Sequence, residues 1–312
     1  MSDKSRGQSM KKILSIALAA AATLLFAGYG MPEVKPTANK AKSIADAKSH
    51  FTRLGTNKIH YLTVGKGKQT ILFVHGWAGN AGFWSEQVPA FADKARLILI
   101  DLPGHGKSDK PQTDYTLDYF SEGVLAVMRD AKVDKAVLVG HSMGTPVICG
   151  VHARAPEKVA ALVAVDGTLR KPKMTSEQIE QFVGPYRTPE YREHAARFVD
   201  FMFPNPGTEK MRDWCREEML KTPQHVMVSA MDGMFDPGKP GWDLKKVTVP
   251  VLSINADNPM WTDDYKGYVR SLSPQADYRA IENTGHFIAQ ERPAEFNAAL
   301  TDTLQKCGLL TK

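Results

Sequence analysis

From residue 58 onward, short apolar runs alternate with longer stretches in which apolar residues recur every three or four positions. The runs KIHYLTV (58–64), TILFVHG (70–76), RLILIDL (96–102), KAVLVGH (135–141), AALVAVD (160–166), VPVLSIN (249–255) and DYRAI (277–281) predict strands. Several are almost continuously hydrophobic, the pattern of parallel strands covered on both faces. Segments 83–93, 116–131, 143–154 and 293–305 carry the spacing of helices with one buried face. The glycine-rich VGKGKQT (64–70) predicts a turn that joins the first two strands into a hairpin. Alternation of strands and helices over this length predicts an α/β fold built on a mostly parallel, doubly wound sheet.

One segment breaks the alternation. Residues 169–246 hold no convincing strand but many helical patterns punctuated by prolines. They predict a helical cap inserted between two core strands, which divides the core into 58–168 and 247–312. Met202, Phe203, Met211, Trp214, Met219, Met227, Met231, Met234 and Phe235 crowd into this segment. Most are expected to pack the cap onto the sheet, since Met fills irregular cores, and a few to line an apolar pocket.

The N-terminus has a different pattern. From Met10 the chain reads MKKILSIALAAAATLLFAG, two lysines followed by the uncharged stretch Ile13–Ala27 and then small residues. This is the pattern of a bacterial-type signal peptide removed within residues 1–30, so the mature protein is expected to be exported, to the periplasm or beyond. The apolar stretch is short for a transmembrane helix of about 20 residues, and stable membrane insertion after cleavage is not expected. Residues 31–57 are expected to form a polar, mobile lead-in.

Composition adds little to this picture. Of the net charge of +6, Lys4, Arg6, Lys11 and Lys12 against Asp3 account for half, and no basic run is interleaved with aromatics. Nucleic acid is therefore not an expected partner. Cys149, Cys215 and Cys307 are too few for a disulfide framework, although an exported chain can oxidise one pair. No cofactor or metal is implied.

The chemistry is concentrated in VLVGHSMGTPV (137–147). Gly140-His141-Ser142-Met143-Gly144 is G-x-S-x-G directly after a strand and directly before a helix. So sharp a turn brings its second neighbours together, hence glycine on both sides, and leaves the Ser142 hydroxyl at a helix N-terminus. HGW (75–77) ends an earlier strand, DLPGHGKSD (101–109) follows the next, and His286 lies in a loop after the last. With these four motifs in order, residues 58–305 resemble the α/β-hydrolase superfamily, and most closely its small capped members: esterases, cofactor-free perhydrolases and carbon–carbon bond hydrolases. GHGKS (104–108) only imitates a phosphate-binding loop, because Asp101 stands where the first glycine belongs.

The resemblance implies a serine hydrolase with Ser142 as nucleophile, His286 as base, and the backbone N–H groups of Trp77 and Met143 as the oxyanion hole. His75, His105 and His141 are expected to be structural. The acid is open between two aspartates. Many relatives carry it nine residues past the proline of the VLSI strand; here that proline is Pro250 and Pro259 occupies the position. Asp257 lies two residues earlier, and Asp166 ends the preceding core strand, where some lipases and dehalogenases carry theirs. Asp166 is narrowly preferred, with Asp263 and Asp264 as remote alternatives. Ser142 at the elbow argues against dehalogenase and epoxide hydrolase chemistry, which use an aspartate there. The expected activity is cleavage of a small, apolar ester or related carbonyl compound. The alternative is a ligand-sensing protein of the same fold, with slow turnover, that signals to a protein partner.

Overall fold

The computed structural model describes residues 42–311 except 236, 237, 239 and 240. The signal peptide expected within residues 1–30 lies outside the described residues. Among the described residues eight strands form one sheet: β1 (Lys48–Leu54), β2 (Asn57–Val64), β3 (Thr70–Val74), β4 (Arg96–Ile100), β5 (Ala136–His141), β6 (Val159–Val165), β7 (Val251–Ala256) and β8 (Ala276–Ile281). Their spatial order is β1-β2-β4-β3-β5-β6-β7-β8. β1–β2 and β2–β4 pair antiparallel, and every other neighbouring pair is parallel.

Two sequence expectations are corrected here. β2 and β3 do not form a hairpin, because β4 lies between them, with Tyr61 opposite Ile100 on one side and Val74 opposite Ile100 on the other. The glycines of 64–70 serve a close crossing instead. A Cβ on Gly65 would stand 2.2 Å from the Ala95 carbonyl oxygen, and one on Gly67 2.0 Å from that of Lys94. Nor are residues 48–57 a mobile lead-in. Residues 48–54 form β1, the edge strand of the hairpin with β2, turned through Gly55 at φ +60°. Its side chains alternate between exposed and half-buried, so it lacks the continuous apolar run of an interior strand.

The interior strands are buried on both faces, with a period of two. Leu72, Ile98, Leu138 and Leu162 enter the core that also takes Phe120 and Val124 of α1 (Leu117–Asp130) and Val147 and Val151 of α2 (Gly144–Arg154). Ile71, Phe73, Leu97, Leu99 and Val163 enter the opposite core with Trp84, Phe91 and the residues Phe296 and Leu300 of α8 (Pro293–Lys306). Burial of this kind contributes about 25 cal/mol per Å² of apolar surface and is the main force holding the layers together.

Among the described residues, four α-helices stand between β6 and β7: α3 (Ser176–Val183), α4 (Tyr191–Phe201), α5 (Glu209–Met219) and α6 (Gln224–Phe235). α3 starts on a capping box, Thr175 Oγ1 accepting from Gln178 N–H and Gln178 Oε1 from Thr175 N–H. The two ends of the insert meet at a neck. Leu244 N–H donates to the Leu169 carbonyl at 2.9 Å, and the Tyr268 hydroxyl reaches the carbonyls of both Leu169 and Leu244, at 3.0 and 2.7 Å. Tyr268 belongs to α7 (Asp263–Ser271), between β7 and β8.

Candidate active site

Ser142 sits in the two-residue step between β5 and α2, at φ +52°. A left-handed conformation is costly for a residue with a Cβ, about 1–3 kcal/mol, and persists only where the surroundings impose it. Here they do. A Cβ on Gly140 would fall 2.3 Å from the Gly144 carbonyl oxygen, and one on Gly144 2.5 Å from that of Val74. The Ser142 N–H donates to the Val165 carbonyl at 2.9 Å, tying the turn to the end of β6.

The loop after β3 passes against this turn. A Cβ on Gly76 would lie 3.1 Å from the Ser142 Cβ, so glycine sets how close the backbone of residues 76–77 comes to the serine. Neutral imidazoles hold the loop. His75 donates through Nδ1 to the Gly76 carbonyl (2.8 Å) and accepts the Leu102 N–H at Nε2 (3.0 Å). His105 accepts the Ala78 N–H at Nε2 (3.3 Å) and donates through Nδ1 to the Pro103 carbonyl (2.9 Å). Burial pushes the His75 imidazole below its ordinary value, and burial together with nearby His75 pushes His105 to about 3. Asp101 accepts the Ala81 N–H (2.7 Å), the Lys107 N–H (2.8 Å) and His60 Nδ1–H (2.7 Å). Burial raises its carboxyl, but the hydrogen bonds from His60, Lys107 and Ala81 outweigh that and hold it below the usual carboxylate range. Ser49 of the edge strand extends the chain, its Oγ 2.8 Å from His60 Nε2.

His286 follows β8 on a loop pressed against the cap. Its N–H donates to the Met202 carbonyl (3.1 Å), and a Cβ on Gly285 would stand 2.3 Å from that same oxygen. Glu291 accepts the N–H groups of Gly285 and Phe287 on either side. Burial raises its carboxyl above the ordinary range despite those two donors. The His286 Nδ1 lies 2.6 Å from Asp166 Oδ2. Asp166 Oδ1 accepts the Ala256 N–H at 2.9 Å and the Trp261 indole N–H at 3.2 Å. Beneath them His141 donates from Nε2 to the His286 carbonyl (2.9 Å), its ring 4.6 Å from that of His286. Burial and proximity to His286 hold His141 well below its ordinary value, so it is a neutral support.

Ser142, His286, Asp166, Trp77 and Met143 all line one cavity of about 1460 Å³. Phe182, Phe198, Met219, Met231, Met234 and Phe235 of the cap form much of its remaining wall, with Trp242, Trp261 and Tyr265. Phe201 and Met260, two of the exposed large apolar side chains, stand at its rim. Trp77 is fixed by an indole hydrogen bond to the Met227 carbonyl (2.9 Å). Asp257 also borders the cavity, but it is exposed and His286 Nδ1 is held by Asp166. Asp263 and Asp264 open α7, facing Lys266 and Arg170. Cys149 is buried on α2 as a free thiol, and burial pushes it up to about 12. Trp261 and Glu291 escaped the sequence reading. Both lie within six residues of a candidate position, but no spacing rule marks them.

The family model of the α/β-hydrolase fold matches residues 69–293. A 2-hydroxy-6-oxononadienedioate/2-hydroxy-6-oxononatrienedioate hydrolase from Paraburkholderia phymatum is 28% identical over 79% of this chain and 91% of its own length. The dihydrolipoyllysine-residue acetyltransferase component of the acetoin cleaving system of Cupriavidus necator is 25% identical over 85% of this chain and 71% of its own. An esterase from Exiguobacterium antarcticum superposes with a TM-score of 0.74 at 17% identity, covering 83% of this chain and all of that one, a likeness of fold.

Proposed function

The chain belongs to the α/β-hydrolase fold family, and on that premise we propose that it is a serine hydrolase cleaving an apolar ester or related carbonyl compound through an acyl-enzyme. The observation that carries this is the 2.6 Å bond from Asp166 to His286 Nδ1, at the wall of a cavity that also exposes Ser142. With Nδ1–H fixed on the carboxylate, Nε2 is free to act as base. The Ser142 Oγ attacks the carbonyl carbon as its proton passes to Nε2. The oxyanion accepts the backbone N–H groups of Trp77 and Met143, beside the N-terminus of α2. Collapse breaks the bond to the leaving group, which takes the proton from His286. Water then repeats the sequence on the acyl-enzyme and frees the acid. The relatives' names differ in substrate and, for the acetyltransferase component, in reaction; the hydrolytic reading is supported by the relative named a hydrolase. The aromatic and Met-rich lining supports an apolar acyl or ring group as the bound part.

Ser142→Ala is expected to lose about four orders of magnitude in kcat on p-nitrophenyl butyrate, and all labelling by a fluorophosphonate, with an unchanged circular dichroism spectrum. A variant that keeps most of its activity would make another group the nucleophile. Export rests on residues 10–30 alone. It predicts that the protein isolated from its native host starts near residue 28, and Met1 or Met10 at the mature N-terminus would refute it.

A further inference from the structure

Both oxygens of the Asp166 carboxylate are committed. Oδ2 holds His286; Oδ1 holds the Ala256 N–H and the Trp261 indole N–H. Ala256 ends β7, so its amide is fixed by the sheet. The indole is the donor that a side chain delivers. Trp261 is 7% exposed and packs 5.0 Å from the Tyr265 ring. The Tyr265 hydroxyl donates to the Gly167 carbonyl (3.2 Å) and accepts the Leu169 N–H (3.1 Å). The two rings thus bracket the turn that starts at Asp166, which is itself left-handed at φ +41° and needs an external hold.

A carboxylate turns easily about its Cβ–Cγ bond, where the torsional wells are broad. Such a turn would carry Oδ2 away from His286 Nδ1. The indole N–H, a second donor on Oδ1 beside the Ala256 N–H, opposes it. We propose that Trp261 is a positioning residue for the acid. Its N–H keeps the Asp166 carboxylate in the plane that holds His286, while its ring walls the cavity. The inference rests on the hydrolase reading above, and Trp261 itself touches no reacting atom.

Trp261→Phe keeps a ring against the cavity and removes the N–H. A hydrogen bond to a charged group supports an expected loss of about tenfold or more in kcat, with KM within about twofold. In an Asp166→Asn background the same substitution is expected to cost nothing further, because it acts through the carboxylate. Equal losses in the two backgrounds would overturn the proposal and leave Trp261 as cavity wall only. A second readout needs no turnover. In the wild-type protein with ¹⁵N-labelled histidine, the proton shared by His286 Nδ1 and Asp166 is expected as a far-downfield resonance that moves in Trp261→Phe. A resonance that stays in place would also overturn the proposal. A wild-type protein that shows the resonance but cleaves no ester would count against the hydrolase reading alone.

Discussion

At the scale of single residues, two aspartates compete for one histidine. Asp166 is 5% exposed and bonded through both oxygens, whereas Asp257 is exposed to solvent at the cavity edge. Asp166→Asn is expected to lower kcat by about 10⁴, since an amide facing Nδ1 favours the tautomer with its proton on the wrong nitrogen. Asp257→Asn is expected to change kcat less than threefold, because an exposed carboxylate outside the relay does not set the tautomer. Steady-state kinetics on one ester separate the two, and the reverse ranking would move the acid to the loop after β7. The sequence left this choice open for a physical reason. Linear spacing says which strand end carries a carboxylate, not which of two adjacent strand ends reaches the histidine. The serine turn was legible because its motif is short and contiguous, even though Gly144 answers to the Val74 carbonyl of another strand. Gly140 and Gly144 are required by backbone atoms within 3 Å of where their Cβ would be.

At the scale of elements, the interior strands were readable because burial on both faces leaves a continuous apolar signature, as in TILFV and VAALVAV. β1 was not readable. KSHFTRL is half-exposed, and it is a strand because β2 offers a free edge in register, Lys48 opposite Thr63 through to Leu54 opposite Asn57. The mistaken β2–β3 hairpin has a related cause. Adjacency in sequence favours pairing, but β4 supplies a partner to both strands at once, and no local pattern announces it. The cap was legible as an interruption, from its missing strands and its Met and aromatic content. Its contacts were not legible. Trp77 reaches the Met227 carbonyl across 150 residues, and the Met202 carbonyl meets His286 N–H.

At the scale of the whole molecule, the buried imidazoles make stability depend on pH. His75, His105 and His141 sit below the 6.5 of an exposed ring, and unfolding returns them to it. Below pH 6.5 the unfolded chain therefore binds more protons than the folded one, so stability is complete above that point and falls as the solution is acidified. With three rings the slope approaches about 4 kcal/mol per pH unit while all remain neutral in the fold. Asp101 acts in the same direction at lower pH. Its contribution is complete above the ordinary carboxylate value and is lost as the pH falls from there through the lowered one. Urea midpoints are expected to stay flat from pH 8 to 7 and drop steeply between 6 and 5; a flat profile through 5 would mean the rings titrate freely in the fold. The neck at Leu169 and Leu244 has a different consequence. Since the four-helix insert leaves and returns through one point, β6 and β7 stay neighbours whatever the insert contains. Under the proposed function, the stretch of gene that supplies much of the cavity wall is thereby separate from the stretches that supply Ser142, His286 and Asp166. Helices can be exchanged as a cassette while Ser142 and Asp166 stay where the sheet holds them. Such an exchange would be felt at the threads that cross the seam, among them those joining Met202 to His286, Met227 to Trp77, Thr222 to Ala78, Ser229 to Tyr115 and Glu218 to Asn80.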